Sequence, residues 1–300
     1  MPARFEAYPP DRPALVRVLD ENSSYRIGRS PDCELHIDHE SVSRHHADLN
    51  GHGSSWTLLD NASKNGVRAG GERLPRITFE KQTWFAIGDV YCSLEPIDEA
   101  AAATFREHNQ TRRGVSHWLS VRLSPSLGID TLITKALDTV LELAGLDRGF
   151  VLYAPPGAPL RVRASRGLLT SDIARPDFSG SVTAVERALS SLQSVVCSDT
   201  SESPWLGVRP SVRLGGIRAI ACVPLRSAEN ALGALYADSR RPGPAITELD
   251  LELIETVAGQ AAAALTARRL QAEVAQLLKT AADAGLNAPR WDELLARVPQ

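Results

Sequence analysis

Lysine and methionine are scarce in this chain. Only four of its 33 basic residues are lysines, and its one methionine is Met1. The phosphate-binding loop Gly-x-x-x-x-Gly-Lys does not occur, and neither does the Gly-x-Ser-x-Gly turn that carries the nucleophile of many hydrolases. The sequence thus lacks the signatures of two large enzyme classes, and we expect binding rather than catalysis.

Cysteines and long apolar runs are also few. The cysteines form no Cys-x-x-Cys pair, which argues against a zinc or redox site and suits reduced thiols in the cytosol. The N-terminus has no apolar signal segment, and runs such as residues 219–225 are too short to span a bilayer. We therefore expect a cytoplasmic protein that does not enter a membrane.

Charge is nearly balanced. The 36 acidic and 33 basic residues give a formal net charge of −3, which provides no general attraction to nucleic acid or anionic lipid. With 300 residues, 43% of them hydrophobic, the chain has material for about two domains. We predict no cofactor, no metal and no direct nucleic-acid partner.

Residues 14–97 show the pattern of a β-sandwich. Short segments rich in β-branched and aromatic residues alternate with turns that contain Asn, Asp and Gly. The predicted strands cover residues 14–19, 25–28, 34–37, 46–49, 56–59, 84–87 and 91–97. No long helical period occurs in this part, so an all-β domain is predicted.

From residue 98 onward the pattern mixes helices and strands. Helices are predicted for a linker over residues 99–113 and then for residues 126–144, 182–192, 247–279 and 291–298. Strands are predicted for residues 148–154, 160–166, 194–197, 218–225 and 231–238. Thr247 is expected to cap the long helix. Helices around one sheet indicate an α+β domain.

Three loop segments of the predicted sandwich carry groups that bind anions. They are residues 27–30 (Ile-Gly-Arg-Ser), 41–47 (Ser-Val-Ser-Arg-His-His-Ala) and 60–67 (Asp-Asn-Ala-Ser-Lys-Asn-Gly-Val). A phosphate ester with almost two negative charges requires guanidinium, hydroxyl and backbone N–H donors. Because a sandwich gathers loops at its ends, these segments are predicted to form one anion site.

In this order, within one all-β segment, three motifs of these loops resemble the forkhead-associated (FHA) family over residues 14–97, namely Gly28-Arg29, Ser43-Arg44-His45-His46 and Asn65-Gly66. The resemblance implies a phosphothreonine-binding domain. The phosphopeptide-binding residues that it implies are Arg29, Ser43, Arg44, Lys64 and Asn65. The structural residues that it implies are Gly28, His46 and Gly66. A metal pair of His45 and His46 is disfavoured, because adjacent strand residues point to opposite faces.

Residues 126–270 resemble a GAF domain. The resemblance is carried by residues 146–151 (Leu-Asp-Arg-Gly-Phe-Val), 217–225 (ending Val-Pro-Leu) and 232–238 (Leu-Gly-Ala-Leu-Tyr-Ala-Asp). Many such domains hold a small ligand. Here no lysine lies between Lys135 and Lys279, so the cyclic-nucleotide pattern is absent, and no histidine follows His117 to ligate haem. The sequence leaves open whether this domain binds a small molecule.

Two further roles for the second domain were weighed from its residues. A few GAF-fold proteins reduce methionine sulfoxide, but Cys197 and Cys222 lie in predicted strands with no neighbour that lowers a thiol pKa. A homodimer is predicted from apolar residues near heptad spacing, which are Ile254, Ala258, Ala261, Leu265, Leu270, Val274 and Leu277. We expect sheet packing before Leu265 and self-association after it.

The predicted architecture is multidomain, with an all-β sandwich followed by an α+β domain with long flanking helices. The predicted bounds are 1–98 for the FHA domain, 99–125 for a helical linker, 126–270 for the GAF domain and 271–300 for a helical tail. The predicted function is a phosphothreonine-dependent signalling adaptor or regulator, whose partner is a Ser/Thr kinase or its substrate.

The order of the two domains also resembles the sensory half of bacterial sigma-factor-dependent transcriptional regulators. A sensory fragment of such a regulator is therefore the alternative prediction. The adaptor is preferred because the last predicted helix and the residues that end it, Val298-Pro299-Gln300, are typical of a chain end.

Overall fold

The structure, a computed structural model, describes most of the chain. The described residues are 1–122, 128–155, 158–169, 173, 182–200, 206, 212, 216–227, 230–241 and 245–283. The helix predicted over residues 291–298 lies outside them.

The N-terminal part is a sandwich of two sheets. Its strands are β1 Ala3–Tyr8, β2 Leu15–Leu19, β3 Ser24–Gly28, β4 Leu35–His36, β5 Ala47–His52, β6 Ser55–Asp60, β7 Val67–Ala69, β8 Glu72–Arg73, β9 Arg76–Phe79, β10 Thr83–Ile87 and β11 Val90–Pro96. One sheet has the order β2-β1-β11-β10-β7-β8 and the other β4-β3-β5-β6-β9. The pairing is antiparallel except between β3 and β4. The predicted all-β sandwich is confirmed.

Large side chains from both sheets fill the space between them. Phe5, Trp56 and Phe79 are fully buried, and the Phe79 and Phe85 rings lie 5.3 Å apart. The indole N–H of Trp56 donates to the Met1 carbonyl at 3.0 Å, so the polar atom of this buried side chain is satisfied. Truncating such an aromatic residue typically costs about 3–5 kcal/mol. The core therefore holds the loops at the sandwich ends on a rigid support.

Four strands of the sandwich were not predicted. β1 alternates buried Ala3, Phe5 and Ala7 with polar residues, but it has no β-branched residue to mark it. It nevertheless pairs with both β2 and β11. The other three, β7, β8 and β9, are only two to four residues long. Segments this short show too little alternation to be distinguished from loops.

The C-terminal part is an α+β domain, as predicted. Its elements and the preceding linker helix are α1 Glu99–Arg122, α2 Ile129–Ala144, β12 Arg148–Tyr153, β13 Arg161–Arg166, α3 Val182–Ser191, β14 Val195–Cys197, β15 Ala219–Arg226, β16 Ala231–Ser239 and α4 Glu248–Asp283. The sheet order is β13-β12-β16-β15-β14. Helices α2 and α4 pack on one face of the sheet, and α3 packs on the other.

Helix α4 begins with the predicted cap. The Asp250 amide donates to Thr247 Oγ1 at 3.2 Å, and the Thr247 amide donates to Asp250 Oδ2 at 2.8 Å. This reciprocal pair satisfies two backbone donors at the helix start. Although α4 has 36 residues, neither it nor any other helix in the described part of the chain is long and apolar enough to cross a membrane.

The two halves of the chain dock at the start of α4. The Ala14 amide donates to the Ile246 carbonyl at 2.8 Å, and the Glu248 amide donates to the Ala14 carbonyl at 3.0 Å. The sandwich thus supplies an acceptor for one of the free amides at the start of α4. The linker helix adds a contact on each side, from Arg106 to Asp20 at 2.7 Å and from Arg112 to Asp250 at 2.5 Å.

Candidate functional site

The three predicted anion-binding loops meet at one end of the sandwich. The Arg29 amide donates to the Ser43 carbonyl at 2.9 Å, and the Ser30 amide donates to the Arg44 carbonyl at 3.0 Å. From the third loop, the Lys64 amide donates to Ser43 Oγ at 3.1 Å. Ser43 therefore stands where all three loops touch.

Three basic residues of these loops have no acidic partner among the described residues. Arg29, Arg44 and Lys64 are exposed, and none of them pairs with a carboxylate of the described residues. The Nε of Arg29 donates to the Val42 carbonyl at 3.3 Å, and this bond orients the guanidinium. The Arg29 side chain is exposed to solvent. By contrast, Arg26 of the same sandwich is paired with Glu34 at 2.8 Å. The loop end thus concentrates positive charge that the fold itself leaves uncompensated.

Asn65 links the third loop to the second. Its Nδ2 donates to the Ser41 carbonyl at 2.8 Å. Ser41 is itself buried, and its Oγ accepts a hydrogen bond from the Asp89 amide at 2.8 Å. Because the Asn65 amide is fixed through its nitrogen, the position of its oxygen is fixed as well.

His46 is buried beneath the loops and holds them together. Its Nδ1 accepts the Ser43 amide at 3.1 Å, so the ring proton is assigned to Nε2. Nε2 lies 3.1 Å from the Gly66 carbonyl and 2.8 Å from Ser63 Oγ. Burial lowers the pKa of His46 below its usual value, so the ring is neutral in the fold at pH 7.

The lowered pKa of His46 predicts a pH-dependent sandwich stability. The unfolded ring protonates near 6.5, whereas the folded ring does so only at lower pH. Stability is therefore complete above pH 6.5 and falls as the pH decreases toward the folded pKa, by at most about 1.4 kcal/mol per pH unit. Urea unfolding at several pH values checks this. In the His46→Gln variant the decrease of stability below pH 6.5 should be smaller than in the wild type. The exposed control His52→Gln should show the wild-type decrease. An equal decrease in both variants would contradict the prediction.

Three residues that fix the loops had no role assigned from the sequence, although Ser41 and Ser63 lie within the predicted loop segments. Ser41 and Ser63 fix the second and third loops through the hydrogen bonds given above, and Arg73 donates to the Ser63 carbonyl at 2.6 Å. Arg73 lies against Gly66, where a Cβ would be 2.1 Å from its Nε. It comes from β8, a strand too short to predict, so no sequence signal could place it there.

The His45 side chain contacts Asp48 and Asn61 instead of Ser43. Its Nε2 lies 2.6 Å from Asp48 Oδ1 and 2.9 Å from Asn61 Nδ2. His45 and His46 therefore face different partners. Within the part of the chain that the structure describes, no three His, Cys, Asp or Glu side chains are grouped to hold a metal ion.

The comparison with protein families assigns both halves of the chain. An FHA domain profile matches residues 25–90, which contain all three loops. A GAF domain profile matches residues 128–265. The chain carries an FHA domain followed by a GAF domain.

Solved structures of both kinds of domain are similar to parts of the chain. The FHA domain of CT664 from Chlamydia trachomatis is 24% identical, with 32% of this chain and 99% of that chain covered and a TM-score of 0.28. The Rv1747 FHA-1 domain from Mycobacterium tuberculosis is 21% identical, covering 32% of this chain and 97% of that one at a TM-score of 0.28.

For the second half, a GAF domain region from Geobacter sulfurreducens PCA is 25% identical. It covers 47% of this chain and 95% of that one, with a TM-score of 0.40. The search of curated proteins found no match.

The cysteines of the GAF domain are buried in its core. Cys197 and Cys222 have no exposed surface and lie on neighbouring strands, β14 and β15. Burial raises the pKa of the Cys222 thiol well above its usual value, which disfavours the reactive thiolate. These features suit packing better than the redox chemistry of a methionine sulfoxide reductase.

The Asp-Arg-Gly-Phe segment of the GAF domain makes a buried ion pair. Arg148 Nε lies 2.5 Å from Asp238 Oδ1, and the Tyr236 hydroxyl donates to Asp238 Oδ2 at 2.8 Å. Phe150 stacks on Tyr236 with ring centroids 4.9 Å apart. The segment thus joins β12 to β16 inside the core.

Proposed function

We propose that this protein is a phosphothreonine-dependent signalling adaptor. The observation that carries the proposal is that the loops that meet at Ser43 contribute Arg29, Arg44 and Lys64, with no carboxylate of the described residues to neutralise them. Unpaired cations next to fixed donors suit a doubly charged phosphate ester. FHA and GAF domains are typical of signalling proteins, which agrees with a role in binding rather than catalysis.

The geometry around Ser43 suggests how the phosphate is held. Because Ser43 Oγ already accepts the Lys64 amide, its own proton is free to be donated to a phosphate oxygen. The guanidinium of Arg29 supplies further donors, and the Asn65 oxygen accepts a backbone N–H of the peptide. Binding energy from these contacts, and no bond chemistry, performs the function.

The phosphorylated partner is a protein kinase of the Ser/Thr class or a substrate of such a kinase. The threonine methyl can add about 0.8 kcal/mol when buried, or roughly fourfold in affinity over phosphoserine. A larger preference requires that the methyl also orients the phosphate.

Calorimetry with the full chain tests this function. A phosphothreonine peptide library identifies the tightest binders, and each is then measured in phosphothreonine, phosphoserine and unphosphorylated forms. We expect binding only of the phosphorylated forms, with phosphothreonine the tightest. Equal affinity for phosphorylated and unphosphorylated peptides, or binding of none of them, rejects the proposal.

The proposed adaptor is a homodimer through the distal part of α4. Residues Ile254, Ala258, Ala261 and Leu265 are buried against the sheet. Beyond them Leu270, Val274 and Leu277 are 51%, 54% and 69% exposed at spacings of a coiled coil. A single helix protruding into water is marginally stable, and pairing with the same helix of a second copy buries this stripe.

Charge placed in that stripe is expected to separate the dimer. The double variant Leu270→Glu, Leu277→Glu should sediment as a 32.4 kDa monomer, whereas the wild type should have twice that mass. Leu169→Glu is the matched control, since Leu169 is 67% exposed and lies in the GAF domain outside α4. A monomeric wild type at high concentration, or a double variant that stays dimeric, would exclude this interface.

A further inference from the structure

A groove of about 610 Å³ lies between the FHA and GAF domains. Its floor is apolar and comes from both domains, with Pro9, Pro13, Leu15 and Ile37 from the sandwich and Leu251 from α4. One wall is the segment His36–Asp38, and the other is the α4 face that carries Glu248, Glu252 and Glu255. The docking contacts of Ala14 with residues 246 and 248 fix the position of these walls relative to each other.

Four carboxylates line the groove, and two of them, both on α4, lack a close cationic partner among the described residues. Asp38 is compensated by Arg12 at 2.7 Å, and Glu248 is compensated by Arg17 at 2.5 Å. Glu252 is only loosely paired, with Arg113 at 3.5 Å. Glu255 accepts the Ser194 hydroxyl at 2.6 Å and pairs with no cation of the described residues. The groove therefore offers two exposed carboxylates above an apolar floor.

One wall of this groove belongs to the same stretch of chain as the loops proposed to bind phosphate. The Ile37 amide donates to the Gly28 carbonyl at 2.9 Å, and Gly28 directly precedes Arg29. The chain then runs from Asp38 into residues 41–46, which carry Ser43. Residues 36–46 thus carry both one wall of the groove and Ser43, so the cationic loops and the anionic groove share one stretch of chain.

We propose that the groove binds a basic segment of the same partner whose phosphothreonine binds the FHA loops, so that Glu252 and Glu255 of the GAF domain help to select the partner. The inference rests on the proposed function. Arginine fits both features of the groove, because its methylene stem covers apolar surface while its guanidinium pairs with carboxylates. A phosphate site alone would not distinguish among the many phosphothreonines of a cell. The second contact supplies that discrimination.

Peptide scanning with the full-length protein tests the proposal. The probes are phosphothreonine peptides with alanine flanks, in which a pair of arginines is moved one position at a time along both sides. In one register we expect arginine to tighten binding about fivefold at low salt, with the gain shrinking as salt is raised. The double variant Glu252→Gln, Glu255→Gln should lose this gain but bind the alanine-flanked peptide as the wild type does.

Two further variants sharpen the test. Glu255→Lys should reverse the preference, so that glutamate in the same register binds more tightly than arginine. Glu186→Lys, the same charge change as Glu255→Lys but on an exposed position of α3 outside the groove, should keep the wild-type preference. The proposal is overturned if no register favours arginine, or if the double variant keeps the full gain. It is also overturned if the double variant loses the dimer rather than the preference, which would assign the groove to a second copy.

Failure of this inference can be told apart from failure of the proposed function. Binding of the alanine-flanked phosphopeptide without any effect of arginine leaves the adaptor function intact and removes only the groove. Absence of binding to every phosphorylated probe removes both.

Discussion

Replacing Arg29 with alanine is expected to weaken phosphothreonine peptide binding about a hundredfold or more. A hydrogen bond to a charged group contributes about 1.5–3 kcal/mol, and Arg29 has two Nη groups to offer. The loss of about 3 kcal/mol corresponds to roughly a hundredfold in Kd. The fold should be unaffected, because the guanidinium is exposed and only its Nε bonds the protein, at the Val42 carbonyl.

Ser43→Ala is expected to have a comparable effect for a different reason. The alanine removes the hydroxyl that donates to the phosphate, and it also leaves the Lys64 amide without the acceptor that orients it. Both losses act on the contact with the phosphate.

Calorimetry with one phosphopeptide measures both variants against matched controls. Arg161→Ala removes an exposed arginine of the GAF domain, and Ser55→Ala removes a hydroxyl at the start of β6 that bonds only the His52 carbonyl, at 3.3 Å. Both controls should bind as the wild type does. Wild-type affinity in Arg29→Ala and in Ser43→Ala would remove the phosphate site from this end of the sandwich.

The loop motifs could be predicted because their chemistry is local. Gly-Arg, Ser-Arg-His-His and Lys-Asn-Gly each follow a strand with a clear alternating pattern, and strands of one sandwich end at common edges. In the structure the backbone amides of Arg29 and Lys64 both donate hydrogen bonds to Ser43. Their roles in binding stay predictions until a peptide is measured.

What could not be predicted depends on contacts between distant residues. Residues 14–19 read as one strand, yet β2 begins at Leu15, and Ala14 pairs with α4 of the other domain. Nothing in the apolar pattern distinguishes Ala14 from its neighbours. The same holds for the groove, because Glu252 and Glu255 look like ordinary exposed residues of a helix until the docked sandwich faces them.

Helical periodicity predicts the packing of α4 well and the extent of the linker helix α1 less well. The prediction that apolar residues before Leu265 pack on the sheet is confirmed, since Ile254, Ala258 and Ala261 are at most 1% exposed. The helical pattern is clear only over residues 99–113 of the linker predicted for residues 99–125, and the structure has its helix from Glu99 to Arg122. The part after Arg113 has polar and glycine residues that weaken the helical signal, while Arg106 and Arg112 before it form ion pairs with both domains.

Gly28→Ala is expected to destabilise the FHA domain by about 3 kcal/mol or more and to abolish phosphopeptide binding. A Cβ at this position would lie 2.2 Å from the Arg44 carbonyl oxygen, and backbone cannot yield as a side chain can. The end of β3 would have to separate from the loop that carries Ser43. This would break the hydrogen bonds of Arg29 and Ser30 to that loop, so stability and binding should be lost together.

Gly259→Ala is the matched control for this substitution. Gly259 lies within α4 and a Cβ there meets no atom within 4 Å, so alanine should stabilise the helix by up to about 1 kcal/mol through its higher helix propensity. Urea unfolding of both variants gives the sign and size of each change, and calorimetry gives the binding. A Gly28→Ala protein that unfolds at the wild-type urea concentration and still binds phosphopeptide would show that the close approach of β3 to residue 44 does not shape the site.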